Sequence, residues 1–320
     1  MTAKKRTVLG KLRNAFLLVA LVPLLIFGIV LYWQTSTALR QQAENGLSSV
    51  VDNKIVAVES WMNENQVTTR LLSQLDELRD NVSRLIKARK RSERTRIRNN
   101  LDQLFQARLS GHFDIIGVFI FDVKGNYIYS LSHDRPAIPA NFTDQLYFQQ
   151  ALTSEYIGGF ETLPFAGGKG FIYSYPLRSR DRIDGVIIFE VALSRLNEIV
   201  SSRIGLGSTG QAYMVNREGN PLTQVRDEVD KSIQTRGVLE ALQRNEYSGV
   251  YKDYRGIEVI GVGKRFADNN YAMIVEIETA EALGARNQLL YEIIVIGVIS
   301  FFIILLVSYF VARRFNRSTY

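Results

Sequence analysis

The chain has 320 residues, with 39 Lys and Arg against 32 Asp and Glu for a net charge of +7, and 46% of its residues are hydrophobic. It has no cysteine, so it offers no disulfide and no thiol chemistry. Its two histidines, His112 and His133, are far apart and lack carboxylates at ligand spacing, which argues against a zinc site.

Only two stretches are apolar and free of charge, Ala15 to Trp33 and Ile293 to Ala312. Each has the length an α-helix needs to cross a bilayer core of roughly 30 Å. The first has the basic n-region of a signal peptide, but its apolar run is too long for one and no small-x-small cleavage site follows Trp33. Lys4, Lys5, Arg6, Lys11 and Arg13 precede the first span, and Arg313, Arg314 and Arg317 follow the second. By the positive-inside rule both termini are cytoplasmic and the long intervening loop faces outward. This topology removes the nucleic-acid partner that the basic charge invites. The expected division is a cytoplasmic N-terminus at 1–13, spans at 14–34 and 289–312, and a cytoplasmic start of a linker at 313–320.

From Gln34 to about Leu109 there is no proline, and apolar residues recur every three or four positions. Leu47, Val51, Ile55, Val58 and Met62 form one stripe, continued by Leu71, Leu75, Leu78, Val82 and Leu85. That period predicts an amphipathic helix, so residues 35–110 read as a stalk rising out of the first span. The stretch near Ser92 reads as a junction. A basic cluster there (Arg84, Lys87, Arg89, Lys90, Arg91, Arg94, Arg96 and Arg98) reads as a solvated helix face, with docking to headgroups or a partner subunit as the other option.

At Gly111 the pattern changes to β-branched and aromatic runs. A hairpin turns at Lys124-Gly125-Asn126, and a loop with Pro136 and Pro139 leads to a short helix at Thr143–Leu152. Strands are expected near Tyr156–Thr162, Gly170–Pro176 and Gly185–Ala192, and a helix at Leu193–Arg203. This makes 111–204 an α+β lobe with an antiparallel sheet. A second lobe at 205–288 repeats the scheme, with strands at Gln211–Asn216, from Pro221, and at Gly249–Tyr254, Ile257–Phe266 and Tyr271–Glu278, and a helix near Gly237–Arg244. FIFDVKGNYIYS in the first lobe and YMVNREGNPLTQ in the second share one order: apolar strand, Asx, two residues, Gly-Asn, next chain segment. This suggests two copies of one fold.

Further stretches are LYFQQAL (Leu146–Leu152), GFIYSYPL (Gly170–Leu177), DGVIIFEVALSRLNEIV (Asp184–Val200), GLGSTGQAYMVNREGN (Gly205–Asn220), YKDYRGIEVIGVGK (Tyr251–Lys264) and IVEIETAEA (Ile274–Ala282). In order, spacing and placement between two spans the chain resembles a double Cache sensor domain over roughly Thr35 to Arg286. That family supplies the extracytoplasmic ligand-binding part of bacterial chemoreceptors, sensor histidine kinases and cyclic-nucleotide enzymes. The resemblance implies an α+β fold of two stacked PAS-like lobes on a long N-terminal helix, flanked by two transmembrane helices. It implies a bacterial inner-membrane receptor that pairs as a homodimer through stalk and spans and signals to a cytoplasmic partner or output domain. No HAMP linker, kinase or cyclase follows the second span in this sequence, so a sensor with its catalytic part elsewhere, or a ligand-free membrane adaptor, is the alternative. No catalytic grouping and no cofactor is expected; Gly167-Gly168-Lys169-Gly170 lacks the flanking residues of a phosphate-binding loop.

The resemblance also places a small organic ligand in the membrane-distal lobe. Tyr147 and Phe148 on the capping helix, Phe165 on the Gly-rich loop, and Tyr173 and Glu190 on strands are expected to line it, with Gln145 as a neutral partner. Alternation along the fourth strand sets Tyr173 and Tyr175 on one face. One subgroup grips α-amino acids with an arginine two positions before an aromatic pair and an aspartate on a later strand. Here Gln145 and Glu190 stand at those positions, and Gln lacks the charge-assisted bidentate grip of Arg. Glu190 is expected either to meet a cationic group of the ligand or to be a hydrogen-bonded structural carboxylate.

Overall fold

The computed structural model describes residues 2–131, 137–139, 142–179, 182–227, 232–268 and 270–317. Its first element, α1 (Thr2–Gln74), is a single helix of 73 residues, about 110 Å long at 1.5 Å per residue. It therefore carries the first apolar run and most of the stalk without interruption. The face that meets the lobes is Leu47, Val51, Lys54, Val58, Trp61, Asn65, Thr69 and Leu72, all buried and spaced three or four apart. Two of the polar members are satisfied within the helix: Asn65 donates to the Trp61 carbonyl (2.9 Å) and Thr69 to the Asn65 carbonyl (2.8 Å). Trp61 rather than Met62 fills the centre, and Leu71 points outward at 59% exposure. At Leu75 the extended backbone (φ −61°, ψ 125°) ends the helix, while its half-buried side chain still packs against the core.

The stalk continues as α2 (Asp76–Lys87) and, after the expected junction, α3 (Arg91–Arg108). Then come β1 (Ile115–Asp122), β2 (Tyr127–Ser130), a 3-10 turn at Phe142–Asp144, α4 (Leu146–Ala151), β3 (Tyr156–Thr162), β4 (Lys169–Ser179), β5 (Arg182–Ala192) and α5 (Ser194–Ser201). The strands form one antiparallel sheet in the order β2-β1-β5-β4-β3. Pro136 of the loop before α4 lies outside the described residues.

The second lobe holds β6 (Gln211–Asn216), α6 (Arg236–Arg244), β7 (Glu246–Lys252), β8 (Glu258–Phe266) and β9 (Tyr271–Glu278), in an antiparallel sheet ordered β6-β9-β8-β7. The strand expected from Pro221 is a single bridge to Val215. Proline has no N–H for a ladder, and the Thr223 hydroxyl takes the Met214 N–H at 3.0 Å instead. After β9 the chain passes through α7 (Thr279–Ala282) into α8 (Gly284–Arg317), which carries the second apolar run. A Cβ built on Gly28 would lie 3.0 Å from Ile293, so the two apolar helices cross closely there.

The internal repeat holds at the level of atoms. Asp122 Oδ1 accepts from the N–H groups of Lys124 (2.9 Å) and Asn126 (2.8 Å), with Gly125 at φ 81°. Asn216 Oδ1 accepts from Glu218 (3.1 Å) and Asn220 (2.8 Å), with Gly219 at φ 79°. The same turn recurs at Asp253, which accepts from Arg255 and Ile257 (both 2.9 Å) with Gly256 at φ 82°. The carboxylate or amide replaces the missing turn acceptor, and glycine supplies the left-handed residue.

The main core lies between the stalk helices and one face of each sheet. The opposite face of each sheet carries its own smaller core, under α4 and the 163–168 loop in the first lobe and under α6 in the second.

Candidate functional site

In the first lobe the register of β4 against β5 fixes what each face carries. Ile172 stands opposite Glu190 and Tyr173 opposite Phe189. Cross-strand partners share a face, and successive residues alternate. Glu190, Ile172, Ser174 and Ile188 therefore face α4, while Tyr173, Tyr175 and Phe189 face the stalk. Tyr175 confirms this side, since its hydroxyl lies 2.9 Å from that of Thr69 on α1. Tyr173 is fully buried in that stalk-side core, so its expected place beside Glu190 is corrected. Because β4 is buried on both faces, no polar alternation in the sequence distinguishes one from the other.

The remaining expected residues do come together. Tyr147 and Phe148 on α4 are buried over the sheet. Phe165 lies 4.5 Å from Phe119 and 5.5 Å from Phe121 between ring centroids, and Phe142 lies 4.9 Å from Phe148. Gln145 is the half-buried residue that starts α4. Aromatic rings thus form the wall of the face, and its polar groups are few and acidic.

Glu190 is fully buried, and its two oxygens accept from the backbone N–H groups of Phe165 and Ala166, each at 2.8 Å. Gly117 on β1 sits beside it; an added Cβ there would collide with the Phe119 ring and come 3.2 Å from the carboxylate. Burial pushes the Glu190 pKa upward, and the two backbone donors pull it back. Tyr156 donates to Glu161 at 2.5 Å. Burial, then the charges of Glu190 and Glu161, push the Tyr147 pKa up to about 12. The Ser174 hydroxyl is buried with no hydrogen-bond partner among the described residues. Glu161, Tyr156 and Ser174 escaped the sequence reading, because nothing local in the chain reveals that strand pairing gathers them. Geometrically, the carboxylate of Glu190 acts as a latch that holds the 163–168 loop over the sheet.

The second lobe has a cleft of about 620 Å³ along α6 and the end of β7, lined in part by Thr235, Arg236, Tyr251 and Tyr254. Beneath it lies a buried polar network. Gln211 and Tyr251 donate to the two oxygens of Glu276 (2.5 and 2.8 Å), and Tyr254 donates to Gln211 (3.0 Å). Tyr251 reaches across because Gly237 and Gly261 leave the space: a Cβ at either would stand within 2.3 Å of its ring or hydroxyl.

Two lobes with antiparallel sheets carried on one long helix, with two helices apolar enough to cross a bilayer, define a double-lobed fold of the sensor-domain class. The Cache domain family model matches residues 35–286, and the chain belongs to that family. No curated protein sequence matches it. Among solved structures it is similar to the sensor domain of the V. cholerae histidine kinase DctB, at 16% identity and TM-score 0.56, covering 75% of this chain and 98% of that one. It is also similar to the ligand-binding domain of the Campylobacter jejuni chemoreceptor Tlp3 in complex with L-norvaline (15%, TM-score 0.56, 77% and 94% covered). The ligand-binding domain of the Pseudomonas fluorescens chemoreceptor CtaA with L-isoleucine matches at 12% identity and TM-score 0.50, covering 78% and 98%.

Proposed function

We propose that the chain is a two-pass receptor of the bacterial inner membrane. On this reading its distal lobe binds a small organic ligand with a cationic or strongly hydrogen-bond-donating group. The observation that carries it is one acidic, aromatic-walled face: Glu190 and Glu161, with Tyr147, Tyr156 and a Ser174 hydroxyl that has no partner among the described residues, under a loop whose backbone N–H groups are held by Glu190. Neither carboxylate pairs with a cation among the described residues. A cationic ligand would take over the Glu190 carboxylate from the Phe165 and Ala166 N–H groups and release the loop. Binding and loop position are then one equilibrium, shifted by the ligand's differential affinity for the two states. The absence of an arginine at Gln145 weighs against α-amino acids, although related chemoreceptor domains are solved with them. The signal leaves through α1, which packs on both lobes, and through β9, α7 and α8, toward a cytoplasmic partner or output domain.

A thermal-shift screen of residues 35–288 with amines, organic acids, sugars and purines tests the reading; no shift with any compound would favour a ligand-free adaptor. With a ligand in hand, Glu190→Gln keeps one acceptor and loses the charge. It is expected to weaken binding by about 1.5–3 kcal/mol, the worth of a hydrogen bond to a charged group. It should also speed amide exchange at residues 163–168. Unchanged affinity with a faster loop would leave Glu190 a purely structural carboxylate.

The receptor is proposed to pair through the stalk. Leu47 and Val51 are occupied by the lobes, but Val56, Val67 and Leu71 lie on the outward face of α1 at 63%, 40% and 59% exposure. Their spacing of eleven and four residues keeps them on one side. Cysteine placed at Val67 is expected to crosslink into dimers in membranes, helped by the lack of native thiols. Monomer alone under oxidising conditions would count against the pairing.

A further inference from the structure

Where α1 leaves the first apolar run and α8 begins the second, the two helices bound a groove of about 510 Å³ lined by Tyr32, Trp33, Ser36, Thr37, Arg40, Gln41, Glu44 and Arg286. We propose that this groove binds the phosphate headgroup of an anionic phospholipid from the outward-facing leaflet, with Arg286 as its principal contact.

The level is right for a headgroup. Trp33 ends the first apolar run and is 70% exposed, and Tyr32 precedes it. Such amphipathic rings settle at the boundary between hydrocarbon and headgroups. Arg286 lies in the first turn of α8, just before the apolar run of the second span. Arg40 stands seven residues above Trp33, about 10 Å by helical rise, within reach of the headgroup layer for a side chain that extends toward it.

The chemistry is also right. The guanidinium of Arg286 lies 5.9 Å over the Tyr32 ring, which holds it in the groove. Its Nε is shut off from solvent and has no hydrogen-bond partner among the described residues. A donor left in that condition costs free energy until an acceptor arrives, and a planar guanidinium is matched to the paired oxygens of a phosphate. Arg40 is the second cation, partly engaged by Glu44 at 2.8 Å. A free phosphate ion shares this chemistry. The apolar wall below Trp33 and the position at the bilayer boundary select the lipid form, whose acyl chains continue down the span. Because the groove joins α1 to α8, the lipid would bias how those two helices sit against each other.

Tryptophan fluorescence gives the test on the full chain in nanodiscs. The chain has two tryptophans; Trp61 lies about 40 Å further along α1, out of reach of quenchers in the acyl chains. Phosphatidylglycerol and phosphatidylcholine brominated near the carboxyl end of the chain are titrated into unlabelled phosphatidylcholine. The brominated phosphatidylglycerol is expected to quench Trp33 at a far lower mole fraction than the brominated phosphatidylcholine. Arg286→Gln should reduce that preference on the order of tenfold, Arg286→Lys should keep part of it, and Glu44→Gln should strengthen it by freeing Arg40. Equal preference in wild type and Arg286→Gln, with the variant's melting curve unchanged, would overturn the proposal. So would relief of quenching by inorganic phosphate, which would make the groove a site for a soluble anion.

Discussion

Replacing Glu276 by Gln is expected to reduce the pH dependence of the protein's stability between about pH 4.5 and 7 and to make the protein more stable than wild type at pH 8. Glu276 is 1% exposed, and its hydrogen-bond partners are the neutral Gln211 and Tyr251. The charged groups around it are Asp253, which disfavours the anion, and Arg255, which favours it but is paired with Asp253 at 2.7 Å and near Glu278 at 3.6 Å. On the α6 side, Arg236, Glu240 and Arg244 pair among themselves along the outer surface of that helix. Burial therefore dominates, and it raises the Glu276 pKa from 4.5 to about 7.

The sign follows from proton binding. Between the two pKa values the folded state holds a proton that the unfolded state has lost, so the stabilisation is complete below about pH 4.5 and disappears as pH rises through 7. That interval is worth about 3 kcal/mol. Glutamine keeps both contacts, its oxygen accepting from Gln211 and its nitrogen donating to the Tyr251 hydroxyl, without a charge to bury. Urea unfolding at pH 5 and pH 8 measures the effect. A variant with the same pH slope as wild type, or one less stable at pH 8, would refute the assignment. Glu281 pulls the other way, since backbone and hydroxyl donors from Ser208 and Thr209 lower its pKa to about 2. Its contribution is present above pH 4.5 and fades only in stronger acid, outside the window of Glu276. Glu276 sits on β9, two residues before the end of the strand that leads into α7 and α8.

Those features show which parts of the molecule are encoded locally. The two long apolar helices, the hairpin at Gly125, the turn at Gly219 and the helical stalk were legible because each depends on residues within a few positions of one another. The turn at Asp253 is equally local, with its Asx acceptor and Gly256 three residues apart between the strands expected at Gly249–Tyr254 and Ile257–Phe266. The face of Tyr173 was not legible, because Ile172 and Tyr173 are both buried and alternation carries no signal when neither side meets water. The break at Leu75 was hidden inside an unbroken apolar period that α2 resumes at Leu78. The latch of Glu190 on Phe165 and Ala166 depends on partners 25 and 24 residues away. The acidic face was found in its anchor residue and missed in Glu161, Tyr156 and Ser174, for the same reason of distance along the chain.

Lys54 is the extreme case, and its removal is expected to be the most damaging single change to the packing of α1 on the lobes. In sequence it is a single charge beside the apolar stripe of Val51, Ile55 and Val58, and nothing local marks it as buried. In the structure it is 7% exposed, and its ammonium donates to the carbonyls of Ile199 (3.0 Å), Val200 (2.8 Å) and Ser202 (2.8 Å). Those three groups close the C-terminal end of α5, where carbonyls lack helical partners and the helix dipole favours a cation. One ammonium has three protons to give, so the set is complete, and it joins α1 to the connection between the two lobes. Lys54→Met keeps the apolar stem and removes all three bonds, leaving the buried Val200 carbonyl and the half-buried carbonyls of Ile199 and Ser202 without the ammonium. A loss of about 3 kcal/mol is expected, at the rate for unsatisfied buried acceptors, together with faster amide exchange in the last turn of α5. Urea unfolding and hydrogen exchange report the two effects separately. A Lys54→Met protein as stable as wild type, with α5 equally protected, would mean that water replaces the ammonium at those carbonyls and that the apolar contacts of α1 and its other polar links, such as Thr69 to Tyr175, hold it on the lobes without Lys54.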